Sequence, residues 1–97
     1  MLQYINTHIT ESISLDSISR VTYLSKEYCA YLFKANVGKT IISYVNDKKM
    51  QYAKELIIRN EMSLKDIAAY LGFDDYNYFS RLYKKRFGSS PRKTNNR

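Results

Sequence analysis

The chain is predicted to be all-α, with two helix-turn-helix subdomains joined by a long central helix, and three observations lead there. Three Gly and one Pro in 97 residues leave few turn positions, which favours long helices over sheets. The stretch from Ser63 to Pro91 reads as two short amphipathic helices broken at Leu71-Gly72-Phe73, the pattern of a helix-turn-helix. An earlier segment repeats it: Ser14, Leu15 and Ile18 match Ser63, Leu64 and Ile67 at an offset of 49, and Tyr28, Leu32 and Lys34 match Tyr78, Leu82 and Lys84 at 50. The extra residue falls in the turn, and self-similarity at a fixed period argues for two copies of one unit. The expected division is residues 1–39 for the first lobe, 40–59 for the linking helix, and 60–97 for the second lobe with a basic C-terminal tail.

Leu2, Ile5 and Ile9 stand at helical spacing, so Met1 to about Thr10 is expected as a first helix with Gln3, Asn6, Thr7 and Thr10 on its wet face. His8 lies among these and reads as a surface histidine. Glu11-Ser12-Ile13 connects to Ser14, which caps a helix carrying Leu15, Ile18 and Val21 or Thr22 inward. Tyr23-Leu24 then makes the turn. Tyr23 stands where the second copy has Gly72, and a tyrosine at a positive-φ turn position implies either a different turn or accepted strain. Ser25 opens the next helix, in which Cys29 reads as a small core residue.

Gly38 closes that helix and Thr40 can cap the next, which runs to Arg59 without Gly or Pro. Ile41, Val45, Tyr52, Ala53 and Leu56 form one stripe, with Tyr44, Met50 and Ile57 off it. Apolar residues on two faces suit a helix that packs against a lobe at each end. Twenty residues at about 1.5 Å rise give roughly 30 Å, close to the ~34 Å of one duplex turn. Asn60-Glu61-Met62 is the short connection to Ser63.

In the second copy, Ser63 caps a helix whose apolar face is Leu64, Ile67, Ala68 and Leu71, with Asp66 three residues on and reaching back as in a capping box. Gly72 ends it in a left-handed turn, and small Ala68 allows close approach. The following helix, starting at Asp74 or Asp75, is expected to bury Tyr78, Phe79, Leu82 and Tyr83 and to turn Tyr76, Asn77, Ser80, Arg81 and Lys84 outward. These outward residues suit base edges and phosphates in a major groove. Pro91 fits a helix N1 position, and a short turn followed by a frayed basic tail is the expectation.

From Gly72 to Pro91 the residues G-F-D-D-Y-N-Y-F-S-R-L-Y-K-K-R-F-G-S-S-P resemble the signature of the AraC/XylS family of bacterial transcription regulators. The resemblance implies a domain of two helix-turn-helix units on a long helix, binding double-stranded DNA sequence-specifically with two recognition helices in successive major-groove segments, usually with bending of the duplex. It also implies a sensory or receiver domain ahead of this module in a longer chain, although a few members are the bare module. One departure stands out: the family's aromatic-basic pair after the proline is missing from Arg92-Lys93-Thr94-Asn95-Asn96-Arg97.

Carried over position by position, the resemblance puts base-facing roles on Glu27, Ala30 and Tyr31 in the first unit and on Tyr76, Asn77, Ser80 and Arg81 in the second. Arg81 can take a guanine edge bidentately, Asn77 an adenine, Glu27 a cytosine amine, and Ala30 or a tyrosine ring a thymine methyl. Phosphate contacts are expected from Lys26, Lys34, Lys84, Lys85 and Arg86. Lobe packing is the competing role for Tyr31 and Tyr76. Glu27 would repel phosphates unless it accepts from a base or pairs with Lys26.

Net charge is +7, with five Lys/Arg against four Asp/Glu in residues 1–48 and eleven against five in 49–97. That balance attracts any polyanion, so charge alone leaves DNA, RNA and anionic lipid open. One cysteine and one histidine exclude an internal disulfide and supply no soft ligand set, so neither metal nor cofactor is expected, and a reduced, cytoplasmic setting fits. No apolar run approaches the roughly 18 residues of a membrane span, and no nucleophile-base pair suggests an enzyme. The second function class is a protein-interaction module in which a degenerate first unit contacts RNA polymerase or another regulator.

Overall fold

The computed structural model describes residues 1–95, with side chains through Lys93; Asn96 and Arg97 of the expected tail lie outside the described residues. Among the described residues seven helices follow one another, with no strand: α1 (Leu2–Thr7), α2 (Leu15–Thr22), α3 (Lys26–Val37), α4 (Ile41–Arg59), α5 (Leu64–Tyr70), α6 (Tyr76–Phe87) and α7 (Pro91–Asn95). The molecule is a rod of 45 × 21 × 20 Å. Among the described residues no helix is long and apolar enough to cross a membrane.

Two apolar clusters sit along α4. Ile5, Ile13, Ile18, Cys29, Phe33, Ile41 and Val45 form the first. Met50, Ala53, Ile57, Ile67, Ala68, Leu71, Phe79 and Tyr83 form the second. The residues of α4 therefore change allegiance along its length. Ile41 and Val45 serve the first cluster, and Met50, Ala53 and Ile57 serve the second. Met50 and Ile57 are buried rather than off the stripe, while Tyr52 and Leu56 are only partly covered.

Helix boundaries follow their caps. The Ser14, Ser25, Thr40 and Ser63 side chains each accept a bond from the backbone N–H three residues on, filling one of the free donors of a helix start. The reciprocal capping box occurs at Ser14–Ser17, not at Ser63–Asp66, where only the serine accepts. Helix α1 ends earlier than its apolar spacing suggests. His8 stacks on Tyr4 at 4.2 Å and donates from Nδ1 to the Tyr4 carbonyl, closing the turn, so it is a half-buried terminator rather than a free surface group.

Tyr23 resolves in favour of strain: it caps α2 with φ 60°, and its side chain is 95% exposed. Helix α7 does form. Pro91 is fully buried at its first position and Ser90 receives the Lys93 N–H, so burial of the pyrrolidine ring on α4 and α6 stands in for the missing aromatic. The repeat then extends further than the sequence suggests. Gly38-Lys39-Thr40-Ile41 and Gly88-Ser89-Ser90-Pro91 stand 50 residues apart, each with a left-handed glycine, a short loop and a buried first helical residue. The start of α4 is thus to the first lobe what α7 is to the second, and the end of α4 precedes α5 as α1 precedes α2. One helix serves as the last helix of one lobe and the first of the next.

Candidate nucleic-acid interface

Helices α3 and α6 have 12 residues each, and their burial agrees position by position except at the first residue, where Lys26 is exposed and Tyr76 half-covered. Cys29 and Phe79 point into their cores at the same position, as do Phe33 and Tyr83 one turn on. This anchoring turns the equivalent pairs Glu27/Asn77, Ala30/Ser80, Tyr31/Arg81 and Lys34/Lys84 to the same places on the two helices. Glu27, Asn77, Tyr31, Arg81, Lys34 and Lys84 are exposed, and Ala30 and Ser80 are half-covered.

The sequence assignment of α6 needs two corrections. Tyr78 points outward, 42% exposed, and Tyr76 turns partly inward, packing on Phe79 at 5.9 Å. The cause is the anchoring pair: Phe79 and Tyr83 at i, i+4 set the core direction, which Tyr76 shares at i−3 and Tyr78, about 100° of rotation away, does not. Tyr28, the counterpart of Tyr78, is also exposed, and it stacks with Tyr31 at 6.4 Å. The expectation that Tyr78 is buried is overturned, and its repeat match at an offset of 50, Tyr28, shares the exposed position. Arg81 lies over the Tyr78 ring at 6.0 Å, a contact that limits the guanidinium's freedom before any partner arrives.

The cations separate into two settings. Lys34 and Lys84 occupy the last turns of their helices, each offering its carbonyl to the following left-handed glycine. Lys26 pairs with Asp16 at 3.1 Å on the surface, so Glu27 is not its partner. Lys85 and Arg86 line an open cleft of about 510 Å³ with Thr40, Ser43, Asn46 and Asp47. Asp47 accepts from Lys39 at 2.8 Å and stands 3.8 Å from Arg86, which also lies over Phe87. Arg86 is therefore partly engaged within the protein. At the start of α6, Asp75 accepts from the Asn77 N–H at 2.9 Å, so this end is occupied by a carboxylate. Ser90 and Arg92, neither of them among the expected base or phosphate contacts, line a small recess with Tyr76 and Ser80.

A buried cation ties the halves of the rod together. Lys49 follows Ile41 and Val45 and precedes Ala53 and Ile57 at intervals of four on α4, and it is 4% exposed. Its Nζ donates to the Glu11 carbonyl and to the Leu71 carbonyl, both at 2.6 Å, and lies 5.2 Å from the centre of the Phe73 ring. Ser12 donates from Oγ to the Gly72 carbonyl at 3.1 Å. Burial pushes the Lys49 ammonium below the usual lysine value, and the two carbonyls and the ring face offset part of that loss of hydration. A lysine carries no weight in an apolar stripe, yet the spacing of four from Val45 and Ala53 puts Lys49 on the buried line.

A family model described as a helix-turn-helix domain matches residues 18–97. The chain is 33% identical over 90 residues to the arabinose operon regulatory protein of Escherichia coli, covering 92% of this chain and 31% of that protein. It superposes on the C-terminal domain of the two-component response regulator yesN from Fusobacterium nucleatum with a TM-score of 0.92 at 30% identity, covering 97% of this chain and 92% of that one. A third likeness, to the DNA-binding domain of AdpA solved in complex with a target DNA, has a TM-score of 0.90 at 17% identity, covers 98% of this chain and 86% of that one, and speaks to fold. The chain spans about a third of the length of the curated relatives it matches.

Proposed function

Because the chain belongs to the AraC-type helix-turn-helix family of transcription regulators, we propose that it reads double-stranded DNA sequence-specifically, with α3 and α6 entering successive major-groove segments. The observation that carries this is the position-by-position agreement of burial between α3 and α6. Two helices prepared for the same docking stand on one rod 45 Å long, long enough to span two groove segments about 34 Å apart. In this reading the chain works as lobes 1–39 and 60–97 on the linking helix 40–59, ahead of which the parent regulator carries a sensory or receiver domain.

Base contacts fall to Glu27, Ala30 and Tyr31 from α3 and to Tyr76, Asn77, Ser80 and Arg81 from α6, with Tyr76 and Ser80 the half-covered members of the α6 set. Arg81 and Asn77 provide the bidentate pairs, each worth about 1–3 kcal/mol of discrimination. Phosphate neutralisation comes from Lys26, Lys34, Lys84 and Lys85, and Arg86 joins by exchanging Asp47 for the duplex.

Selection from random-sequence duplex at two salt concentrations tests the reading. The expected result is a two-box motif about one helical turn apart, weakened in one box by Asn77→Ala or Arg81→Ala. Strongly salt-dependent binding with no enriched sequence would refute it. The exposed Tyr23, Tyr28 and Tyr31 surface supports a second reading, in which the first unit meets RNA polymerase or another regulator. A motif of one box only, lost with the second unit's variants and indifferent to Tyr31→Ala, would favour that.

A further inference from the structure

We infer that Lys49 is a positioning residue that sets which box spacing the protein accepts, by fastening the first lobe's entry loop to the turn of the second helix-turn-helix. The inference rests on the two-box reading above and concerns a residue with no route to the DNA. Lys49 lies at the point on α4 where the residues of one core end and those of the other begin. Its ammonium is shared between the Glu11 carbonyl, just before α2, and the Leu71 carbonyl, at the end of α5. Beside it the Ser12 hydroxyl reaches the Gly72 carbonyl, and a Cβ on Gly72 would stand 2.9 Å from the Glu11 carbonyl carbon. The loop and the turn therefore meet backbone to backbone, with the ammonium as the shared donor.

The geometry has a direct bearing on recognition. The loop leads into the first unit and the turn leads into α6, so a bond between them couples the approach angles of the two recognition helices more tightly than packing on a common helix does alone. Each inserted base pair rotates a box by about 35° around the duplex, since a turn takes about 10–10.5 base pairs. A stiff coupling cannot follow that rotation. A loosened one can, at the expense of the effective concentration that joins the two binding events, which for well-matched links is worth ~10²–10⁴ in affinity.

The test measures affinity for duplexes carrying the selected boxes at the selected spacing, the same boxes with five base pairs inserted, and one box alone. The wild type should lose about 100-fold on insertion, and Lys49→Met about tenfold or less, with single-box affinity within about twofold of wild type. Lys49→Arg, which keeps a donor to both carbonyls, should restore the wild-type penalty. A merely structural role would lower single-box binding as well and leave the insertion ratio unchanged. If Lys49→Met does not give the wild-type far-UV spectrum, Lys49→Gln with Ser12→Ala replaces it under the same three duplexes. A folded variant with the wild-type insertion penalty overturns the inference while leaving the two-box reading intact. A wild type that selects no two-box motif brings down that reading first, and the inference with it.

Discussion

The Gly72 backbone and the Lys49 ammonium are packed so closely that a Cβ on Gly72 would lie 3.1 Å from Nζ. Gly72 thus answers two demands: a φ of +87° and the contact with the first lobe's loop. Gly88 has a similar φ of +82° but open space where a Cβ would go. Gly88→Ala should therefore cost only the left-handed strain, about 1–2 kcal/mol, whereas Gly72→Ala also forces the loop away and should cost about 3 kcal/mol or more. Urea unfolding of the two variants compares them directly, and equal losses would contradict the close approach.

Tyr23 offers the opposite case. Its backbone is left-handed and its side chain touches little, being 95% exposed. Tyr23→Gly should raise stability by up to about 1 kcal/mol, or roughly 4–8 °C in Tm per kcal/mol for a domain of this size. A fall in Tm would mean that the ring makes contacts that stabilise the turn.

Lys49 should titrate below the usual lysine value of 10.5, because burial lowers it. The sign for stability follows. Between the lowered value and 10.5 the unfolded chain binds more protons at this position than the folded one, so this group's contribution to stability rises as pH climbs through that window. The difference in unfolding free energy between wild type and Lys49→Met, followed from pH 8 to pH 10.5, isolates that slope from the tyrosines, and the Lys49 Cε resonance reports the midpoint. A midpoint at or above 10.5 would show that the carbonyls outweigh the desolvation.

Salt dependence should differ between the units. Lys84 and Lys85 are exposed, whereas Lys26 is held 3.1 Å from Asp16. Removing Lys84 and Lys85 together should reduce the slope of log K against log salt by about two, and removing Lys26 and Lys34 by about one. The reverse order would place the electrostatic weight on the first unit.

Most of the architecture is legible in the sequence because it is written in local chemistry. Ser14, Ser25, Thr40 and Ser63 act as caps where a hydroxyl precedes an apolar period, and Gly38, Gly72 and Gly88 close their helices through positive φ. Chain-distant contacts decided the rest. Tyr76 and Tyr78 exchange roles because the direction of α6 is set by where Phe79 and Tyr83 find their core, and an aromatic-rich helix offers several stripes of similar apolarity. Pro91 holds α7 through burial rather than through the aromatic that the family pattern calls for. The role of Lys49 is hidden in the sequence because a lysine counts as polar in any periodicity, while its partners Glu11 and Leu71 are 38 and 22 residues away and contribute carbonyls that every residue has.

The shared helix α4 also limits how this molecule can be cut or lengthened. Severed near Lys49, neither portion keeps a full set of helices, so limited proteolysis there should release no folded half. A single residue inserted between Val45 and Met50 would advance one lobe by about 1.5 Å and turn it by about 100° relative to the other. The interval between those two residues is a gear setting, fixed by its residue count and locked by the one side chain within it, Lys49, that reaches a carbonyl of each lobe.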